Sequence, residues 1–331
     1  MSMINWLQTA AAQKKPLPIL SFPGIQLTGI KVPELVRSGR RQAECMKAVA
    51  GRWNTLASVS LMDLSVEAEA FGSPVKFSDD EVPSVTGAIV TDEDSLEALN
   101  VPAVGNARTG EYVQTISEAK KLIADRPVFA GAIGPFSLAG RLMDMTEIMM
   151  LCYEEPDLVH GVLEKVTQFL IAYNTALRDA GADGIIMAEP AAGMLSPALM
   201  GEFSTPYVKR IIEAVETDGC VFIYHNCGNS TLSLTKEILG TGARAFHFGN
   251  AIDLSEMLKL IPSDKLVMGN VDPAGQFRNG TPESVREATL AVLDKCAQYP
   301  NLILSSGCDI PPVSPIENID AFFAAATEFY R

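Results

Sequence analysis

Short apolar runs alternate with longer stretches of helical period along this chain, and no other feature constrains its fold as strongly. The clearest runs are PVFAGAI (127–133), GIIMAE (184–189), VFIYH (221–225), ARAFHF (243–248), KLVMGN (265–270) and NLILSS (301–306). Runs rich in β-branched residues and separated by helices are the pattern of repeated βα units and a parallel sheet. Between two of them, PDLVHGVLEKVTQFLIAYNTALRDAG (156–181) reads as an amphipathic helix with Leu158, Val162, Val166, Leu170 and Ala172 as its buried stripe and Gly181 as its stop. Upstream, 41–53 and 62–72 read as helices, 75–85 as a strand running into an acidic loop, and residues 1–40 as an irregular arm packed on the rest. Six or more strands alternating with helices over about 250 residues predict an α/β fold, a (β/α)8 TIM barrel with an N-terminal extension, whose site gathers at the C-terminal ends of the strands. A doubly wound open sheet is the competitor, but no Gly-x-Gly-x-x-Gly or Walker-type loop follows any of these runs. With no repeat, no low-complexity linker and no shift in composition, residues 1–331 are expected to form one domain.

Composition narrows the function. A chain that is 47% hydrophobic and 20% charged has the makings of a soluble globular core. Twenty-six lysines and arginines against 40 aspartates and glutamates leave a net charge of −14, which argues against nucleic acid as a partner because neutralising phosphates needs clustered positive charge. No apolar run reaches the roughly 18 residues that a bilayer span requires. The start, MSMINWLQTAAAQKK, lacks the apolar region of a secretory signal, so no membrane association and a cytoplasmic location are expected. Six cysteines, Cys45, Cys152, Cys220, Cys227, Cys296 and Cys308, are too scattered to suggest a disulfide framework. Most are expected to be small buried hydrophobes, so a cysteine with chemistry must be marked out by its position.

Position does mark out two of them. In a barrel, the strand ends bring Glu189, His225 with Cys227, residues 247–250, Asn270 with Asp272, and Cys308 to one mouth. His225 and Cys227 are two apart in an extended run and face the same side. Two ligands hold zinc poorly, but Cys308 at another strand end supplies a third, and three leave one position open as catalytic zinc sites do. Thiolate and imidazole together suit zinc better than magnesium or calcium. A glycine adjoins each cysteine, in CGN (227–229) and SGCD (306–309), where the chain must turn sharply. The alternative is a histidine and a thiol that are merely neighbours.

HNCGNST (225–231), GNVDP (269–273) and SSGCDIPPVSPIENIDAF (305–322) resemble the uroporphyrinogen decarboxylase superfamily, and within it the branch of cobamide-dependent methyltransferases. These are zinc enzymes, known best as methylcobamide:coenzyme M methyltransferases. The resemblance spans nearly the whole chain, with MDLSVEAEAFGSPVKF (62–77), GAIGPFSLAGRLM (131–143) and DGIIMAEPAAGMLSP (183–197) in family order. It implies a uroporphyrinogen decarboxylase-like barrel with His225, Cys227 and Cys308 as the zinc ligands. In the related zinc chemistry of cobalamin-independent methionine synthase, a glutamate on the next strand is the fourth ligand. Here that strand reads RAFHFGNAIDL, with Gly249 or its neighbours in place of the acid, and His247 or water is expected to take the position. A uroporphyrinogen decarboxylase would use an arginine-rich N-terminal loop, and SGRRQAE (38–44) carries Arg40 and Arg41 without the surrounding pattern.

The activity implied is methyl transfer, in one-carbon metabolism of the methanogenic type, between a corrinoid on a partner protein and an acceptor. The acceptor is expected to be a thiol such as coenzyme M held as a zinc thiolate, with tetrahydrofolate as the alternative. Glu189, Asp272 and Asn270 are candidates to contact the acceptor or a ligand, although the two acids also suit helix caps. Gly193, Gly228 and Asn229 are candidates to approach the corrinoid, although the PAAGMLSPALM stretch (190–200) also reads as an ordinary loop and helix start. A decarboxylase, or a zinc- or corrinoid-binding protein without catalysis, is the other reading of the same scaffold.

Overall fold

The computed structural model describes residues 2–331. In chain order the strands among them are β1 (Ser58–Val59), β2 (Val75–Lys76), β3 (Ser84–Val85), β4 (Val128–Ile133), β5 (Gly184–Ala188), β6 (Val221–Asn226), β7 (Ala245–Phe248), β8 (Leu266–Val271) and β9 (Leu302–Ser306). All six runs picked from the sequence are strands, and with β1 they form one parallel sheet of order β1-β4-β5-β6-β7-β8-β9. Each strand thus lies beside its neighbour in sequence, which is the winding of a TIM barrel.

An eighth stave closes the ring. Residues 16–20 run between β9 and the start of β1: Leu17 donates its N–H to the Leu304 carbonyl at 2.9 Å, Ile19 N–H reaches Ser306 Oγ at 3.1 Å, and Leu56 N–H reaches the Pro16 carbonyl at 2.9 Å. The stretch expected to be part of an irregular arm is therefore part of the wall. Its two prolines each lack an N–H, and the resulting gaps disguise it in sequence. The arm also carries helix α1 (Met3–Thr9). Trp6 packs edge-on against Phe129 with ring centroids 5.3 Å apart, and Met3 N–H bonds to the Asp218 carbonyl just before β6. Helix α1 therefore plugs the end of the barrel opposite the site.

Because side chains alternate across a strand, the barrel splits its apolar residues into two cores. Phe129, Ile186, Val221, Ile223, Ala245, Leu266, Met268 and Ile303 fill the interior together with α1, while the alternate residues pack under the helices. On β6, β7, β8 and β9 the interior stack then turns polar at its top, ending in His225, His247, Asn270 and Ser305.

Three local expectations need correction. Residues 75–85 do hold a strand that runs into the acidic loop, but the strand is only β2, and beyond SDDE and Pro83 the chain returns as β3 to pair antiparallel with it, Val75 with Val85. Of 62–72 only Val66–Ala70 is helical. The long helix Pro156–Asp179 buries Leu158, Val162, Val166 and Leu170 as expected, but Ala172 is exposed and Tyr173 and Leu177 continue the stripe. Two residues beyond Leu170 is a turn of about 200° at 3.6 residues per turn, which puts Ala172 on the opposite face.

Candidate metal centre

His225 is the third interior residue of β6, above Val221 and Ile223, and is 1% exposed. The chain then turns around Asn226. Its Oδ1 accepts from Gly228 N–H at 3.0 Å and from Thr231 Oγ1 at 2.9 Å, while its Nδ2 donates to the Glu189 carbonyl at 3.1 Å. This side-chain turn is what asparagine does at a strand end, and it swings Cys227 toward the barrel axis. Gly228 is needed for the turn because a Cβ there would lie 2.4 Å from the Gly193 carbonyl oxygen. From the other side, Gly307 bonds its N–H to the Val271 carbonyl at 2.7 Å and delivers Cys308. One ligand atom each from His225, Cys227 and Cys308 lies within 4.8 Å of the other two, and His225 Nε2 is 3.6 Å from Cys308 Sγ. The three residues paired by sequence position are brought together.

The thiols are unequal. A hydrogen bond from Cys308 holds Cys227 below the ordinary thiol range, whereas that bond and burial push Cys308 up to about 12. Burial is the main cause that lifts the other cysteines, Cys45 and Cys220 to about 12 and Cys152 and Cys296 to about 11, with nearby acids adding to it at Cys152, Cys220 and Cys296.

His247 stands behind His225 rather than in the cluster. Its Nδ1 is 2.8 Å from His225 Nδ1 and its Nε2 is 2.8 Å from Ser305 Oγ. Both ring nitrogens are thus engaged, and burial, reinforced by His225, holds the ring well below its usual range, so it is neutral. β7 offers no acid either. Gly249 follows it, and a Cβ there would lie 2.5 Å from Cys227 Cβ.

The other predicted residues have structural partners. Glu189 is fully buried, and its two oxygens accept the N–H groups of Phe136 and Ser137, each at 2.8 Å, at the start of helix Pro135–Met143. Burial pushes its carboxyl up to about 7, with the hydrogen bonds from Ser137, Phe136 and Ser204 opposing. Asp272 Oδ1 caps the next turn through Ala274 and Gly275 N–H, both at 2.9 Å. Asn270 Nδ2 ties down the loop after β7 through the Gly249 and Ile252 carbonyls, both at 3.0 Å. Gly193 and Gly228 pack against each other, while Asn229 is exposed beside them. The sequence reading missed Ser305 and Leu17, whose Oγ-to-carbonyl bond of 2.7 Å lies behind His247. A serine ending an apolar strand was the available signal. It also passed over Asp309, whose buried Oδ1 has no hydrogen-bond partner among the described residues.

Comparisons with known proteins agree with this architecture. A family model described as uroporphyrinogen decarboxylase (URO-D) matches residues 22–329. A methylcobamide:CoM methyltransferase of Methanosarcina mazei is 30% identical over 276 residues, which cover 81% of this chain and 78% of that protein. A uroporphyrinogen decarboxylase of Coxiella burnetii is 26% identical over 286 residues, covering 82% of this chain and 77% of that protein. Among solved structures, a methyltransferase from Methanosarcina mazei aligns over 100% of both chains with a TM-score of 0.86 at 24% identity, which shows the same fold.

Proposed function

The chain belongs to the uroporphyrinogen decarboxylase family, and we propose that within it the protein is a zinc-dependent methyltransferase, moving a methyl group between a corrinoid carried by a partner protein and a thiol. The observation that carries this reading is the convergence of His225, Cys227 and Cys308 at the mouth. Zinc bonds of about 2.1 Å to nitrogen and 2.3 Å to sulfur at a tetrahedral angle place the two atoms about 3.6 Å apart. The spacing from His225 Nε2 to Cys308 Sγ is 3.6 Å, so this pair fits the ion, and the Cys227 donor lies within 4.8 Å of both. A zinc ion held there would act as a Lewis acid that lowers the pKa of an acceptor thiol.

The chain's own residues prepare that chemistry. Two thiolates balance the charge of the ion, and a neutral His225 adds none. Gly249 leaves no side chain to compete for a fourth position, which would stay open to an acceptor thiol. Gly193 and Gly228 keep the adjoining turns low, and Met194, 55% exposed in the loop after β5, offers an apolar contact to an incoming corrinoid protein. A thiol is favoured over tetrahydrofolate by the donor set and by the relative that takes coenzyme M by name.

The decarboxylase reading is the weaker one. Arg40 pairs with Glu44 at 2.9 Å and Arg41 pairs with Glu34, on an exposed helix face, so these arginines are already spent on surface pairs.

The test is loss of the methylcobalamin spectrum on adding a panel of thiols to zinc-loaded protein. Thiol-dependent demethylation in wild type, reduced about a hundredfold or more in Cys308→Ser, is the expected result. Zinc bound without transfer to any thiol would support a non-catalytic binding protein. No zinc and no transfer would return the decarboxylase reading.

A further inference from the structure

We infer that the eighth stave of the barrel sets the ring tautomer of His225 through a relay from the Leu17 carbonyl by way of Ser305 and His247, so that His225 presents a bare Nε2 to the two cysteines. This deepens the zinc reading and rests on His225 as a ligand, but the relay itself is a property of the metal-free chain.

The argument runs outward from a group that cannot donate. The Leu17 carbonyl is only an acceptor, it lies 2.7 Å from Ser305 Oγ, and no other donor reaches it among the described residues. Ser305 therefore donates its single proton there. Its oxygen can then only accept from His247 Nε2 at 2.8 Å, which places the His247 proton on Nε2 and leaves Nδ1 bare. Bare Nδ1 is 2.8 Å from His225 Nδ1, so the proton between the rings belongs to His225. His225 thus carries its proton on Nδ1, and Nε2 faces Cys308 Sγ at 3.6 Å with its lone pair free. Every member is buried: Ser305 is 0% exposed, His225 and His247 1% each, and Leu17 1%. Water does not compete for these bonds.

His247 is on this account a positioning residue and not a fourth donor. A histidine that ligates a metal is oriented by what its other nitrogen bonds, and losing that partner costs about 10–100-fold in metal affinity. Here the partner is a second imidazole, held in turn by a hydroxyl and a main-chain carbonyl from the opposite end of the sequence. The arm that completes the wall also fixes the ligand.

The experiment is 15N NMR of the metal-free protein labelled on histidine. The chain has only three histidines, and the remaining one, His160, is bonded to Tyr207 Oη at 2.7 Å, apart from the relay. Wild type is expected to show His225 protonated at Nδ1 and His247 protonated at Nε2. His247→Asn keeps an acceptor near the Nδ1 position and should preserve the His225 tautomer and, within a few-fold, the zinc affinity. His247→Phe should release His225 to the Nε2-protonated form and weaken zinc about 10–100-fold. Ser305→Ala, a smaller change should the phenylalanine variant fail to fold, should leave His247 as a mixture of tautomers. Finding His225 protonated at Nε2 in wild type, or unchanged in both His247→Phe and Ser305→Ala, overturns the relay. Finding the expected tautomers in a protein that binds no zinc upholds the relay and removes the zinc reading instead.

Discussion

At the scale of single residues, Cys227 at the mouth differs from the four cysteines outside it by environment and not by accessibility alone. Cys45, Cys152, Cys220 and Cys296 are buried and their thiols raised, whereas Cys227 is half-buried and lowered by Cys308. Since the thiolate is the reacting species, iodoacetamide at neutral pH should modify Cys227 first in metal-free protein, and zinc should protect it. Peptide mapping by mass spectrometry reads this directly, and preferential labelling of Cys45 or Cys220 would contradict it. The sequence carried this contrast because only two of the cysteines follow strand ends with an adjoining glycine. It did not carry the role of His247, since alternation puts His225 and His247 on the same face and is silent on which of two neighbouring rings stands in front. Nor did it distinguish a mouth carboxylate from one turned into a helix start, which is where Glu189 went.

At the scale of elements, Glu189 joins the end of β5 to helix Pro135–Met143, and the bond has a pH signature. Folding raises this carboxyl from 4.5 to about 7, so the native state holds the proton more tightly than the unfolded chain. Stability is therefore lost as pH rises from 4.5 through about 7, by an amount on the order of 3 kcal/mol relative to a side chain that does not titrate. The difference in urea stability between wild type and Glu189→Gln should shift against wild type by about this much between pH 5 and pH 8. A difference that stays constant would show that the hydrogen bonds from Phe136 and Ser137 outweigh burial. The paired turns after β5 and β6 are tested by Gly228→Ala, whose Cβ would meet the Gly193 carbonyl oxygen at 2.4 Å. Overpacking of this kind should cost about 1–3 kcal/mol and, because Cys227 leads into the turn, should also weaken zinc. A variant with wild-type unfolding and zinc affinity would show that the turns yield easily.

For the whole molecule, the barrel was legible in the runs from β4 to β9, because strands buried on both faces do not alternate with polar residues, and on β6 to β9 polar side chains enter only toward the C-terminal ends. β1 was not, being two residues long within the serine-containing ASVSLMD (57–63). The eighth stave was hidden by its prolines. The plug that α1 forms is tested by Trp6→Ala, which should lower stability by about 3–5 kcal/mol while leaving zinc content unchanged, because the indole lies at the end of the barrel away from the cysteines. Loss of zinc in a folded Trp6→Ala protein would contradict that separation of scaffold from site. Few measurements address the central claim, one ion held by three residues with a position open to a thiol, as directly as zinc X-ray absorption on the loaded protein before and after adding coenzyme M. The account predicts two sulfurs at about 2.3 Å with nitrogen or oxygen completing the shell, and a third sulfur once the thiol is present. A sulfur count that does not rise, or four protein ligands already in place, would contradict it.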